Sequence, residues 1–187
     1  MIDRDSAFQL LETQNPEPHL LHHAMQTEAV MTALARHFGE DENLWSITGL
    51  LHDLDFPITK EIPEEHGKQS VELLKGKLPE IALNAILAHN SEFTNHKPTT
   101  KLDLALRCAE TVTGLIATNA LVRPNGMEGM KPKSLKKKMK DKAFAASVSR
   151  DRIRECEKLD LDLGQFFQLA IESITPIADS VGLAKRT

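Results

Sequence analysis

Eight histidines and no tyrosine set the chemistry open to this chain. Histidine and carboxylate side chains exchange protons near neutral pH and bind first-row divalent metals. A chain poor in aromatics is ill suited to stacking on nucleic-acid bases. At about 100° per residue, His23 shares a helix face with Leu20, Val30 and Leu34, whereas His22 lies with Gln26, Ala29 and Arg36 on a more polar one. His52 falls with Trp45, Thr48 and Gly49, and His89 with Ala82, Ala85 and Ile86. Glu110 falls with Leu106, Gly114, Ala117 and Leu121. An ionised carboxylate on an apolar face is costly unless a cation or hydrogen-bond donors compensate it. No Lys or Arg lies one turn away on that face; Arg107 sits at its edge. A pair with Arg107 and a bound metal are the two ways to satisfy Glu110. A lone inward histidine is as a rule a hydrogen-bonded core residue, and an isolated His52-Asp53 would be a helix-end histidine beside a solvated acid. Three inward histidines together with a core-facing acid favour a metal site.

The elements that must carry these residues are helical throughout. No alternating strand pattern of useful length occurs, and Asn125-Gly126 follows Pro124 as a loop. The pattern predicts helices over about 5–13, 18–38 (stopped by Gly39), 42–53 and 79–88, and over 100–122 before Pro124. A further helix is expected to start at Pro63, with Glu64 and Glu65 in its first turn. Others fit 134–146, 149–158 and 163–181. The expectation is an all-α, compact single-domain fold over residues 1–187, with its core over about 19–123 and C-terminal helices 134–181 packed on it.

Composition removes several classes. At 187 residues, with 41% hydrophobic and 27% charged residues, the chain is long enough to bury a sizeable core. The longest stretch free of Asp, Glu, Lys and Arg, Thr111–Val122, is too short to span a membrane. Residues 1–5 are charged from the third position and show no apolar signal-peptide core, so a cytoplasmic protein is expected. Two cysteines, Cys108 and Cys156, make neither a disulfide framework nor a cysteine zinc site. The segment Lys131–Lys142 holds seven Lys and one Asp, which leaves the rest of the chain at -10 within a net charge of -4.

The order of these residues resembles the HD-domain superfamily of metal-dependent phosphohydrolases, and within it the small single-domain HDIG-related subgroup. The segments that carry the resemblance are His23 to Met31, Gly49-Leu50-Leu51-His52-Asp53-Leu54-Asp55, Glu64-Glu65-His66-Gly67, Ile86-Leu87-Ala88-His89-Asn90 and Thr113-Gly114-Leu115-Ile116. Ala120-Leu121-Val122-Arg123-Pro124 and the lysine-rich stretch to Ala145 extend it, so that it covers roughly residues 19–150. The resemblance implies a helical HD fold with one or two divalent metal ions at its centre, drawn from Mn, Fe, Co, Ni, Mg and Zn. It implies His23, His52, Asp53 and a final acid as ligands of the first ion. His66 and His89 match positions that bind a second ion in dinuclear members and touch substrate phosphate in others. One departure stands out. Where the family usually has Ala-Asp, this chain has Ala109-Glu110; Asp103, two turns earlier, is the alternative acid.

The implied activity is hydrolysis of a phosphate ester of a small nucleotide or related metabolite by a metal-activated water. His52 and Asp53 hold the metal, and Asp55 or Glu64 takes the proton. The alternative is a non-catalytic HD module that binds or senses a nucleotide, Glu110 marking weakened turnover. The Gly-Tyr-Pro element that accompanies cyclic-di-GMP phosphodiesterases is absent. For the lysine segment three roles compete. The first is a solvated amphipathic helix with Leu135, Met139, Ala143 and Ala146 buried. The second is phosphate capture by Lys137 or Lys138. The third is nucleic-acid binding, disfavoured by the missing aromatics and the negative remainder. The expected partner is therefore a small phosphorylated substrate; neither nucleic acid nor membrane is expected, and an oligomer is compatible with the sequence.

Overall fold

The computed structural model of the protein describes residues 1–185. Local signals set most of the helix limits. Helix α1 (Arg4–Thr13) starts on Asp3, whose carboxylate accepts from the Ser6 N–H. Helix α2 (Pro18–Phe38) has proline in its first turn and ends at Gly39, where φ is +68°. Helix α3 (Glu42–Leu51) is capped by Asp41. The short α4 (Phe56–Thr59) and α5 (Lys68–Leu74) precede α6 (Glu80–His89) and the short α7 (Ser91–Thr94). Helix α8 (Lys101–Leu121) opens on a capping box of Thr100 and Asp103. Helices α9 (Pro132–Lys140), α10 (Arg150–Arg154) and α11 (Leu163–Ile174) follow; 3₁₀ turns extend α10 over Glu155–Leu159 and α11 over Thr175–Ile177. No strand occurs among the described residues. The all-α expectation holds, and among the described residues no helix is long and apolar enough to cross a membrane.

Several expected boundaries move, each for a physical reason. The helix expected from Pro63 begins only at Lys68. Gly67, at φ +89°, turns the chain, and residues 63–67 form turns instead. The helix after Pro132 stops at Lys140 rather than reaching Ala146. Beyond it, the Arg150 guanidinium collects the carbonyls of Asp141, Phe144, Ala145 and Val148, which holds this stretch in a non-helical path. Leu135 and Met139 are buried as expected, but Ala143 and Ala146 are exposed. The last α-helix ends at Ile174 because Pro176 has no N–H to continue the ladder. Asp103 belongs to neither potential ligand set and serves the start of α8, where its Oδ2 accepts from the backbone N–H of Thr99 and Thr100.

Helix α8 runs through the core, with Ala105, Leu106, Cys108, Ala109, Val112, Leu115 and Ile116 fully buried. Helices α2, α6, α10 and α11 pack around it, and α3 packs along α2. That last contact depends on Gly49. A Cβ there would lie 2.9 Å from Met31 Cγ and 3.1 Å from the Thr27 carbonyl oxygen. The close approach brings the end of α3 beside the first half of α2, and so sets His52 opposite His23. Both cysteines are free and buried.

Candidate metal centre

Four histidines from four parts of the fold meet at one aspartate. Asp53, in the turn after α3, places Oδ1 3.1 Å from His52 Nε2 and 3.3 Å from both His66 Nε2 and His89 Nε2. Its Oδ2 lies 3.5 Å from His23 Nε2. Two overlapping sets of potential ligands result, His23–His52–Asp53 and Asp53–His66–His89, with the donor atoms of each set within 4.8 Å of one another.

The far side of every ring is fixed. His52 Nδ1–H donates to the Gly49 carbonyl at 2.8 Å, and His89 Nδ1–H to the Ile86 carbonyl at 2.5 Å. Both acceptors belong to the last turn of a helix, where carbonyls lack intrahelical partners. His66 Nδ1–H donates to Asp55 Oδ1 at 2.8 Å. For His23 the partner is Thr113 Oγ1 at 2.9 Å. Thr113 has one hydroxyl proton and gives it to the Glu110 carbonyl at 2.6 Å, so at this contact the histidine must donate. All four rings therefore carry their proton on Nδ1 and turn the Nε2 lone pair inward. The consequence is a conflict: Nε2 faces Nε2 at 3.2 Å for His23 and His52, and at 3.0 Å for His66 and His89. Two acceptors at that distance need a positive charge between or beside them. A divalent cation supplies it, and imidazole with carboxylate is a donor set that first-row divalent ions accept. The residues present thus fit such an ion.

Without a cation, a proton takes its place. Burial would lower the His66 pKa, but hydrogen bonds to Asp53 and Asp55 push it up to about 10. Burial would raise the Asp53 carboxyl, but the facing His52 and the hydrogen bond from a protonated His66 hold it well below the carboxylate range. Burial pulls His23 down to about 4 against the attraction of Asp53, and lowers His89 as well, which keeps both rings neutral and ready to ligate.

Other expected residues are placed differently. Asp55 is fully buried and stands behind His66. Its Oδ2 accepts from the N–H groups of Gly67 (2.7 Å) and Ser70 (2.9 Å), so both oxygens are taken and its role here is to orient His66. Glu64 is exposed on the turn before His66. Glu110 lies beside the cluster, outside both ligand sets. Its carboxylate accepts from the Thr111 hydroxyl and lies 3.4 Å from Arg152 Nη1, and burial raises its pKa. The Arg107 pairing does not form. Arg107 instead meets Glu92 and Glu155 and donates to the carbonyls of Ala88 and His89. A cleft of about 430 Å³ opens at His23 and Glu110, with Glu92, Thr111, Ser149 and Arg152 in its walls. Lys137 is exposed and Lys138 lies over the Phe144 ring; neither lines that cleft. A larger groove of about 990 Å³ between α2 and α11 contains none of the cluster residues, and the chemistry places the site at the smaller cleft.

Sequence reasoning missed four supporting residues. Thr113 fixes His23 and Arg107 holds the end of α6, while Asn90 and Arg152 act from the loop and from α10. Asn90 ties the two halves of the second ligand set, donating to the carbonyls of Pro63 and His66. Asn90 and Thr113 do lie in segments that carry the resemblance, and Arg107 borders the Glu110 face, but their partners were not legible there; Arg152 had no such signal.

An all-helical fold with a carboxylate ringed by four inward imidazoles defines a helical domain able to hold a metal ion. The chain belongs to the HD domain family, whose model matches residues 20–120. Among curated proteins it is 29% identical over 96 residues to Ribonuclease Y of Bacillus thuringiensis (strain Al Hakam) and, to the same degree, to Ribonuclease Y of Bacillus mycoides (strain KBAB4). The match takes in 51% of this chain but 18% of those relatives. Among solved structures, the HD domain of the L. monocytogenes phosphodiesterase PgpH superposes with a TM-score of 0.56 at 14% identity, covering 91% of this chain and 98% of that one. The same domain in complex with cyclic-di-AMP gives a TM-score of 0.56 at 16% identity, covering 90% and 96%. At these identities the likeness is one of fold.

Proposed function

We propose that this protein is a metal-dependent phosphohydrolase acting on a phosphate ester of a small nucleotide or related metabolite. The observation that carries the reading is the pair of ligand sets sharing Asp53, with all four Nε2 atoms turned inward. His23, His52 and Asp53 would hold one ion, and Asp53, His66 and His89 a second. When bound, such an ion lowers the pKa of water and draws charge from a phosphoryl oxygen. The chain's own residues do the rest. Asp55 and Thr113 lock two rings, Arg107 and Asn90 hold the end of α6, and the cleft admits substrate beside His23. Asp55, its oxygens occupied, positions a ligand rather than taking the water's proton; Glu64 remains the outer candidate for that step. The names of the relatives, a ribonuclease and a phosphodiesterase domain seen with cyclic-di-AMP, support a phosphoester as substrate. We also take residues 1–187 as one HD domain, its last two residues lying outside the described ones.

Elemental analysis of the purified protein, then a phosphate-release panel with Mn, Co, Ni, Mg and Zn, tests the reading. Divalent-dependent release supports it. A second reading, a nucleotide-binding module without turnover, is favoured by Glu110 lying with Arg152 and Thr111 outside both ligand sets. Saturable nucleotide binding with no release under any metal would replace the first reading with the second.

A further inference from the structure

The cleft beside the cluster is lined by two acids, Glu92 and Glu110, and one guanidinium, Arg152. Among the described residues of its walls, Arg152 carries the one permanent positive charge. Its side chain is 24% exposed and lines the cleft. It is held from one side: Nε lies 3.2 Å and Nη2 2.5 Å from the two Glu92 oxygens. Glu92 is braced in turn by the buried Arg107, at 2.9 Å. The other side is loose. Nη1 reaches Glu110 at 3.4 Å, the longest of its contacts.

Glu110 has two neighbours that compete for it. One is Arg152; the other is the metal cluster, whose His23 lines the same cleft as Glu110. An aspartate at this position would be one methylene shorter. The longer chain carries the carboxylate to Arg152 at the wall of the cleft that His23 also lines. Any cation held at His23, His52 and Asp53 weakens the hold of Arg152 on Glu110. The guanidinium edge then becomes free to take another anion in bidentate fashion, the geometry that suits a phosphate.

We infer that Arg152 is the anion-receiving residue of this cleft. It binds a phosphate group of the substrate once metal is loaded, and Glu110 couples the two events. The inference rests on the metal-centre reading above and names the substrate contact of that site. Arg152 takes the role that the sequence suggested for Lys137 or Lys138.

The test measures binding of inorganic phosphate by calorimetry, to wild type, Arg152→Ala and Arg152→Lys, each loaded with Mn²⁺ or treated with EDTA. Wild type is expected to bind phosphate only when loaded, since the metal-free cleft sets two carboxylates against one guanidinium. Arg152→Ala should weaken phosphate binding about ten- to a hundredfold, the usual loss for hydrogen bonds to a charged group. Its Mn²⁺ affinity should hold or tighten, because Glu110 loses a competitor. Arg152→Lys should fall between the two, and it carries the test if the alanine variant does not fold. With any substrate that is turned over, KM should rise more than kcat falls. Unchanged phosphate affinity in both variants overturns the inference and leaves the phosphohydrolase reading standing. Weakened phosphate binding in a protein that releases no phosphate from any ester does the reverse.

Discussion

Replacing Thr113 by valine isolates one hydrogen bond at the metal centre. The side chain is fully buried, and valine keeps its shape while removing the hydroxyl. Two bonds are lost, the 2.9 Å bond from His23 Nδ1–H and the 2.6 Å bond to the Glu110 carbonyl. The carbonyl remains within the α8 ladder, so the first loss matters more. A donor left buried without a partner costs about 1–3 kcal/mol. His23 escapes that cost by turning or by moving its proton to Nε2, and either change removes its lone pair from the cluster. Loss of such a supporting bond typically weakens metal affinity about 10–100-fold. His66 and His89 keep their own partners, Asp55 and Ile86, so the effect should fall on one ion only. Titration with Mn²⁺ should therefore show two sites in wild type and one weakened site in Thr113→Val, matching the site lost in His23→Ala and not that lost in His66→Ala. Thermal denaturation controls for folding; the melting temperature should drop by a few degrees, about 2–4 °C per kcal/mol for a domain of this size. Two unaltered sites, or two equally weakened ones, would refute the claim that Thr113 fixes the tautomer of His23.

Asp53→Asn removes the carboxylate common to both ligand sets, so the metal content of purified protein should fall toward zero for both ions, as read by mass spectrometry. Glu92 is pulled down to about 2: burial would raise it, but its bonds from Arg107 and Arg152 prevail. Because the folded value is the lower one, the stability this acid contributes is present above its ordinary value near 4.5 and is lost as pH falls through about 2. Chemical denaturation across that window should show a shallower pH dependence for Glu92→Gln than for wild type. Gly49→Ala forces a Cβ to within 2.9 Å of Met31 Cγ and 3.1 Å of a backbone oxygen, and should cost about 1–3 kcal/mol in urea denaturation, weakening metal binding in step because α2 and α3 carry His23 and His52.

Local chemistry made most of the helices legible in the sequence. The 18–38 helix is bounded by Pro18 and Gly39, and the long core helix opens on Thr100 with Asp103 three residues on, and each signal acts within one turn of the residue it limits. The inward facing of His23, His52 and His89 followed from periodicity alone. The tautomers of His52 and His89 came only with the structure, although the Gly49 and Ile86 carbonyls that fix them lie just three residues before them. The boundaries that moved are those set by distant groups or by backbone conformation: Arg150 gathering carbonyls after Lys140, and Gly67 turning the chain at positive φ.

The site shows the same division. The residue types, their order and the family they resemble were all in the sequence, because a metal ligand is recognisable by its chemistry. That Asp53 stands between two ligand sets was not, nor that His23 takes its partner from Thr113, ninety positions away. Glu110 is the sharpest case. Its helix face offered no cation, so the sequence pointed to a metal or to Arg107. The structure commits Arg107 to Glu92, Glu155 and the end of α6, and supplies Arg152 from α10, forty-two residues on. A sequence displays what each segment can do within a few turns of its own backbone. Which charges compensate one another across the core is decided only when packing brings separate helices together.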